Sequence, residues 1–392
     1  MNQPAARTAM VLSGGGDYGA FGVGVLKTLF AGRSPATDYS PLSPEIFTGT
    51  SVGAFNASLM AAQKCSCLDA AMHLEDVWLN RVAERAGECG NAIFRIRGNL
   101  SDLADTGCLR DPLALAARFA GDTVVLGTYA LARTANFLAS SNEPLEDRIM
   151  ALVNIGSFVD SAPYESLLRD VIDEADIRQS SRALRVIATN WVAGKARHFS
   201  NSDFHDGRGI RAVVASTAIP GVFPPVRIDH EIYVDGGVVE NTPLSAAIGA
   251  GGENLHVIYL DPKPGVTRLR GEPNTIDTML RVYYIMLATK ISEDIESARW
   301  INAGLDAVSN FREDQEVSDA ALRNFTRVAG TLLQEGKRRT YKRLVIHRYF
   351  PEAALGGNLG MLDFGIDAIA DMIAEGERAA LLHDCKHNGC VL

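Results

Sequence analysis

The sequence predicts an α/β fold, with a largely parallel central sheet flanked by helices and a helical insertion after the second helix. Three observations carry this. The first sixty residues read strand, glycine loop, helix, loop, strand, sharp turn, helix, the βαβα opening of a helix-covered parallel sheet. Strand-like apolar runs resume at Leu184–Thr189, Glu231–Val234 and Leu255–Leu260. Between these two groups, residues 85–160 carry helical periodicity and little strand signal. A chain of 392 residues can bury a sizeable core, and it is read as one α/β domain over 1–392. Within it, 85–160 is a helical insertion and lid candidate, and 263–392 is a C-terminal segment completing the fold.

Each element has a local reason. Ala9–Leu12 is an apolar run stopped at once by Ser13-Gly14-Gly15-Gly16, so it reads as the first strand. A helix follows over about Ala20–Phe30, then a loop with three prolines, then a strand at Ile46–Thr48. Gly49-Thr50-Ser51-Val52-Gly53 comes next and leads into an alanine-rich helix. Further along, Ala215–Val226 contains Ala-Ile-Pro-Gly-Val-Phe-Pro-Pro and must be a tight irregular loop, because proline lacks the N–H that regular structure needs. Residues 275–310 are expected to be helical, Leu344–His347 a further strand, and Phe364–Glu377 a final amphipathic helix. There is no internal repeat and no low-complexity linker.

Composition narrows the function classes. The chain is 47% hydrophobic and 22% charged, with 38 basic against 47 acidic residues, a net charge of −9. That balance, with no basic tail, disfavours nucleic acid as a partner. No uninterrupted apolar run is long enough for a transmembrane helix, and Met1–Arg7 lacks the charged-then-apolar plan of a signal peptide. The expected location is therefore cytoplasmic or peripheral to a membrane, with export through a signal that is not N-terminal left open. Six scattered cysteines need not form a disulfide framework in a chain of this length. The tail gathers four possible zinc ligands in His383, Cys385, His387 and Cys390, but it is read as a frayed polar terminus.

The chemistry concentrates at Ser51. Gly49 and Gly53 let the backbone bend sharply, lifting Ser51 to a strand tip beside a helix N-terminus, as in a nucleophile elbow. A serine also needs a base and donors for the oxyanion it creates. Gly14, Gly15 and Gly16, following strand one, allow N–H groups to converge on one point. Asp235, in Val234-Asp235-Gly236-Gly237 at the end of a strand-like run, offers the carboxylate. A parallel sheet would bring all three strand ends to one edge. Each motif has a plainer reading. Gly49–Gly53 alone is a glycine-serine turn, and Asp-Gly-Gly alone suits a type I′ turn. Gly14, Gly16 and Gly19 also satisfy a dinucleotide fingerprint, for which Asp38 has about the right spacing but sits in the loop before the next strand.

Four blocks in order complete the pattern: Gly-Gly-Gly-x-x-Gly at 14–19, Gly-Thr-Ser-Val-Gly-Ala at 49–54, Ala-Ser-Thr-Ala-Ile-Pro-Gly-Val-Phe-Pro-Pro at 215–225, and Tyr-Val-Asp-Gly-Gly-Val-Val-Glu-Asn-Thr-Pro-Leu at 233–244. Together they resemble the patatin-like phospholipases over about residues 8–262, with 85–155 outside the likeness. The resemblance implies a Ser–Asp dyad acting on acyl-lipid esters, with Ser51 as nucleophile, Asp235 as base and Gly14, Gly15 and Gly16 as oxyanion hole. It implies no histidine in the catalytic role. Two positions depart from the family: Tyr18 stands where Arg or Lys is usual, and Ser13 where Asp is common. Neither removes a backbone donor, though the first weakens any preference for anionic head groups.

The histidines suit a triad poorly. His256 lies inside a strand run and reads as a packed residue, while His198 and His205 fall in a polar segment. Two stretches bear on lipid. Thr123–Ala139 is apolar, interrupted only by Arg133, and could cover an acyl groove, dip into an interface or form a core helix. Lys337, Arg338, Arg339, Lys342 and Arg343 could meet anionic head groups but read as a solvated helix end. The expected function is a lipid acyl hydrolase of phospholipase A or lysophospholipase type, with a lipid substrate, possible peripheral membrane contact and no cofactor or metal in the chemistry. The alternatives are a dinucleotide-binding protein using the N-terminal glycine loop, and a catalytically idle patatin-like interaction scaffold.

Overall fold

A computed structural model of the chain describes residues 6–84, 89, 92–140, 158–260, 278, 282, 285, 295–306, 342–353, 355 and 364–392. Of the expectations above, Lys337, Arg338 and Arg339, and much of the 275–310 segment expected to be helical, lie outside the described residues.

The strands are β1 (Thr8–Leu12), β2 (Ile46–Thr50), β3 (Arg95–Ile96), β4 (Val159–Asp160), β5 (Ala183–Asn190), β6 (Lys195–Ser200), β7 (Val226–Ile228), β8 (Glu231–Asp235), β9 (Asn254–Ile258) and β10 (Val345–Tyr349). The main sheet runs β10-β9-β1-β2-β5-β8-β7, with β6 also paired to β5. β10, β9, β1, β2 and β5 are mutually parallel. Ala9 to Leu12 and all five residues of β2 are buried, which fits the unbroken apolar run of β1, while the polar Thr48 and Thr50 of β2 donate to the Pro243 and Glu240 carbonyls. The principal helices are α1 (Gly19–Phe30), α2 (Val52–Ala62), α3 (Cys67–Val77), α4 (Pro112–Ala139), α5 (Ala162–Val171), α6 (Glu174–Gln179), α7 (Arg208–Ser216) and α8 (Ile366–Leu381). Every residue of α2 is buried, so its alanines and glycine answer a lack of room on all sides. α8 packs against α1, and Lys27 on α1 is held 2.6 Å from both Glu75 and Glu377.

The structure differs from the sequence reading at three places. β8 runs antiparallel to β5, and β7 and β8 form a hairpin around Asp229 and His230. Asp235 therefore enters from the direction opposite to that of a parallel strand. β6 is an additional strand whose Lys195-Ala-Arg-His-Phe-Ser sequence has only Phe199 buried. The C-terminal tail is docked, not frayed: Val391 exchanges backbone bonds of 3.0 and 2.7 Å with Ile346.

The segment between α3 and α5 is anchored by charge. Arg95 grips Asp122 of α4 through two 2.7 Å bonds, and Gly98 N–H adds a third at 3.0 Å. Arg95 and Arg97 also reach Asp160 across the β3–β4 pair. Cys89 and Cys108 are joined in a disulfide. Only Leu115 and Asp122 of α4 are buried, so Thr123–Ala139 is not a core helix. No helix among the described residues is long and apolar enough to cross a membrane.

Candidate active site

Ser51 joins β2 to α2 with φ 54° and ψ −128°, a conformation L-residues avoid. Its neighbours leave no alternative path, since a Cβ on Gly49 would lie 2.1 Å from the Gly53 carbonyl oxygen. The turn is held from outside by Ser216, at the end of α7. The Ser216 hydroxyl accepts the Ser51 N–H at 2.9 Å and donates to the Ile187 carbonyl.

Ser216 also ties in the carboxylate loop. Its carbonyl accepts the Gly236 N–H at 3.3 Å, and the Ala218 carbonyl accepts the Asp235 N–H at 2.8 Å. Asp235 is fully buried and its Oδ1 accepts the Gly237 N–H at 2.7 Å. Strand register brings the two loops together across β5: Thr50 pairs with Ile187, and Asp235 with Ala188. The fit is close, because a Cβ on Gly236 would come within 2.9 Å of the Thr50 Cγ2. Gly236 and Gly237 thus lead into a helical turn, Gly237–Glu240, in place of a type I′ turn.

The glycine loop closes the third side. A Cβ on Gly14 would sit 2.8 Å from Ser51 Cβ, so any larger residue would collide with the Ser51 side chain. Gly14 gives its N–H to Asn241, whose carbonyl lies at 3.3 Å and whose Oδ1 lies at 3.2 Å. Gly16, at φ 61°, lines the same cavity as Ser51. The run 240–243 laces the loops together: Thr50 Oγ1 donates to the Glu240 carbonyl at 2.7 Å, and Ser13 and Thr242 share a hydroxyl bond at 2.9 Å.

The cavity beside Ser51 is walled by Phe55, Trp78, Tyr164, Ile219 and Phe223. Phe94 reaches from the segment before α4 to stack edge-on against Phe223 and Phe364 at 5.9 and 6.3 Å. Burial, first of all, pushes the Tyr164 phenol far above its usual range, and the nearby Asp235 charge pushes it further. A neutral phenol beside a carboxylate and an apolar wall suits an uncharged chain next to a reacting carbonyl.

Sequence-nominated residues that belong elsewhere are equally clear. Asp38 sits in the loop before β2 with φ 48°, while the tip of β2 carries Ser51, so the acidic partner of a dinucleotide fingerprint is not at a strand end. His198 Nε2 lies 2.8 Å from Glu240 Oε2. Burial raises Glu240, but the bonds from His198 and Ser245 outweigh it and leave that carboxyl below its ordinary range. His205 is exposed beside Asp206. His256 is buried on β9 with Nδ1 2.8 Å from the Tyr349 hydroxyl, as expected of a packed residue.

Residues 10–248 match the sequence profile of the patatin-like phospholipases. The chain belongs to the patatin-like phospholipase family. Among patatin-like relatives are uncharacterized NTE family proteins of Mycobacterium bovis and Mycobacterium tuberculosis, each 24% identical over 223 residues, covering 56% of this chain and 59% of the relative. The chain thus spans about three fifths of the length of these relatives. Among solved structures, VipD of Legionella pneumophila is similar at 15% identity with a TM-score of 0.33, over 95% of this chain and 67% of VipD.

Ser216 and Asn241 escaped the sequence reading although both lie inside its quoted blocks. Neither carries a local signal: Ser216 sits between Ala215 and Thr217, and Asn241 between Glu240 and Thr242. Ser216→Ala is expected to leave the Ser51 N–H buried without its acceptor, costing about 1–3 kcal/mol of stability. It should also lower kcat by roughly tenfold through a loosened elbow, as read by thermal melts and ester hydrolysis on the same preparation.

Proposed function

We propose that this patatin-like chain is a lipid acyl hydrolase, of phospholipase A or lysophospholipase type, working through an acyl-serine at Ser51. The observation that carries the reading is the left-handed Ser51 turn, tied through Ser216 to the loop of a fully buried aspartate and opening on an apolar cavity. Asp235 takes the Ser51 Oγ proton as that oxygen attacks the ester carbon. Gly14 was expected as a third donor of the hole, but its N–H is taken up by Asn241, so it anchors the loop while the Gly15 and Gly16 N–H groups receive the oxyanion. The proton passes to the departing alcohol. Water deprotonated by the same carboxylate then attacks the acyl-serine, and the fatty acid leaves as Ser51 regains its proton. The route uses these groups and water alone.

The test is release of free fatty acid from phosphatidylcholine and lysophosphatidylcholine vesicles by the full chain, with Ser51→Ala as the blank. No release above the blank on either lipid, nor on a short soluble ester, would leave the interaction scaffold as the better reading.

Access to lipid falls to α4, and the chain is proposed to work at the membrane surface as a peripheral protein. Val124, Leu131 and Leu138 are exposed and spaced at seven-residue intervals, which places them on one side of the helix. Leu126 and Phe137 are half-buried and do not belong to this stripe. Replacing Val124, Leu131 and Leu138 together with Ser should lower activity on vesicles by about tenfold or more, since each removes apolar area that would enter the interface. Activity on a short soluble ester should stay within about twofold. Equal loss on both substrates would assign the stripe a structural role.

A further inference from the structure

We propose that His347, His383, Cys385 and Cys390 form a structural zinc site that pins the C-terminal tail to the edge strand of the sheet. One donor atom from each residue lies within 4.8 Å of the others. Cys385 Sγ is 3.4 Å from both His383 Nε2 and His347 Nδ1, and Cys390 Sγ is 3.5 Å from His383 Nε2. Zinc–sulfur bonds of about 2.3 Å and zinc–nitrogen bonds of about 2.0–2.1 Å in a tetrahedron give donor–donor edges of roughly 3.3–3.8 Å. These three of the six edges, at 3.4, 3.4 and 3.5 Å, fall in that interval.

The ligand set differs from the one in the tail sequence. His347 comes from β10 and takes the place that sequence proximity gives to His387. The tail is built to bring the others to it. Asp384 caps the turn Cys385–Asn388 by accepting the Lys386 N–H at 2.8 Å. Gly389, at φ 65°, reverses the chain so that the Cys390 N–H reaches the Cys385 carbonyl at 2.9 Å. Arg348 donates to the Gly389 carbonyl at 3.2 Å. The imidazoles are held in place too: His347 stacks on His256 at 4.8 Å, and Tyr349 packs on His383 at 4.7 Å.

The donor set points to zinc. Two thiols and two imidazoles, all from protein and with no position left for water, are the closed arrangement of structural zinc rather than of a catalytic ion. Imidazole binds metal in its neutral form. Loading is therefore Zn²⁺ plus two thiols and two imidazoles giving the bis-thiolate complex and two released protons. Zinc on His383 Nε2 leaves that ring's proton on Nδ1. The Asn388 amide, 2.9 Å away, must then present its oxygen there and give up the bond it donates to the Arg348 carbonyl. Sheet order places β10 three strands from β2, about 14 Å by strand spacing, so the ion takes no part in chemistry at Ser51.

The test uses the full chain, freed of any polyhistidine tag and purified without chelator. Elemental analysis should find about one zinc per chain, lost in Cys385→Ser and in Cys390→Ser and kept in Cys65→Ser, whose thiol is exposed elsewhere. Cobalt added to the zinc-stripped wild-type chain should give the visible bands of tetrahedral cobalt with thiolate charge transfer, a readout that does not depend on the variants folding. Zinc removal should lower the Tm and open the tail to protease. The proposal is overturned by wild-type zinc no higher than in Cys385→Ser, by a Cys385–Cys390 disulfide in the purified chain, or by an octahedral cobalt spectrum lacking the thiolate band.

Discussion

Ser51→Ala is expected to abolish ester hydrolysis and labelling by a fluorophosphonate while leaving the fold intact. Ser51 is 5% exposed, and its backbone N–H bond to Ser216 does not involve the hydroxyl, so alanine keeps the turn and its clamp. What disappears is the oxygen proposed to form the acyl bond. A loss on the order of 10⁴-fold or more in kcat follows from removing a nucleophile whose partners cannot substitute for it. That corresponds to about 5.4 kcal/mol of barrier. Labelling retained at another serine would move the nucleophile elsewhere. Ser51→Gly separates chemistry from strain. It should be equally inactive, yet more stable by about 1 kcal/mol, because glycine relieves the cost of a left-handed backbone that serine bears. A destabilised Ser51→Gly would mean that the φ of 54° stores no strain.

The parts of the site that were legible in the sequence are those imposed by backbone geometry at one spot. Gly14, Gly49 and Gly53 occupy places where a Cβ would meet Ser51 Cβ or a neighbouring carbonyl, and such requirements are written as glycine in the chain itself. β1, the start of β2 and the middle of β5 were legible because burial on both faces demands apolar residues there, as at Ala9 to Leu12, at Ile46 and Phe47, and at Val186 to Ala188. The rest depends on distant partners. Ser216 acts through Ser51, 165 residues away, and Asn241 through Gly14, 227 residues away. Neither contact leaves a local pattern. β6 was hidden because only Phe199 is buried among its charged residues. The direction of β8 was hidden because an apolar run does not state which way its neighbour runs, although the two-residue gap after Ile228 hints at a hairpin. His347 was separated from the tail cysteines by 38 residues and joins them only once β10 is in the sheet.

Asp235→Asn is expected to lower kcat by ~10²–10⁴, the usual scale for loss of a general base. The variant is informative because it changes little else. Asn can still accept the Gly237 N–H through its Oδ1, and a neutral amide is no harder to bury at this fully enclosed position than a carboxylate. The other amide atom is then an NH2 donor, which cannot take the serine proton. The dyad also requires that no imidazole stand in the relay. His198 is engaged with Glu240 at 2.8 Å, His205 is exposed beside Asp206, and His256 is bonded to Tyr349. His198→Gln, His205→Gln and His256→Gln, each judged on folded protein, should keep kcat within about tenfold, since none is asked to lower the barrier. His256→Gln should instead lose stability, because its ring fills a buried slot between His347 and Tyr349. A folded single-histidine variant as inactive as Asp235→Asn would replace the dyad with a triad. A fully active Asp235→Asn would remove the carboxylate from the mechanism and leave the Ser51 proton to another group.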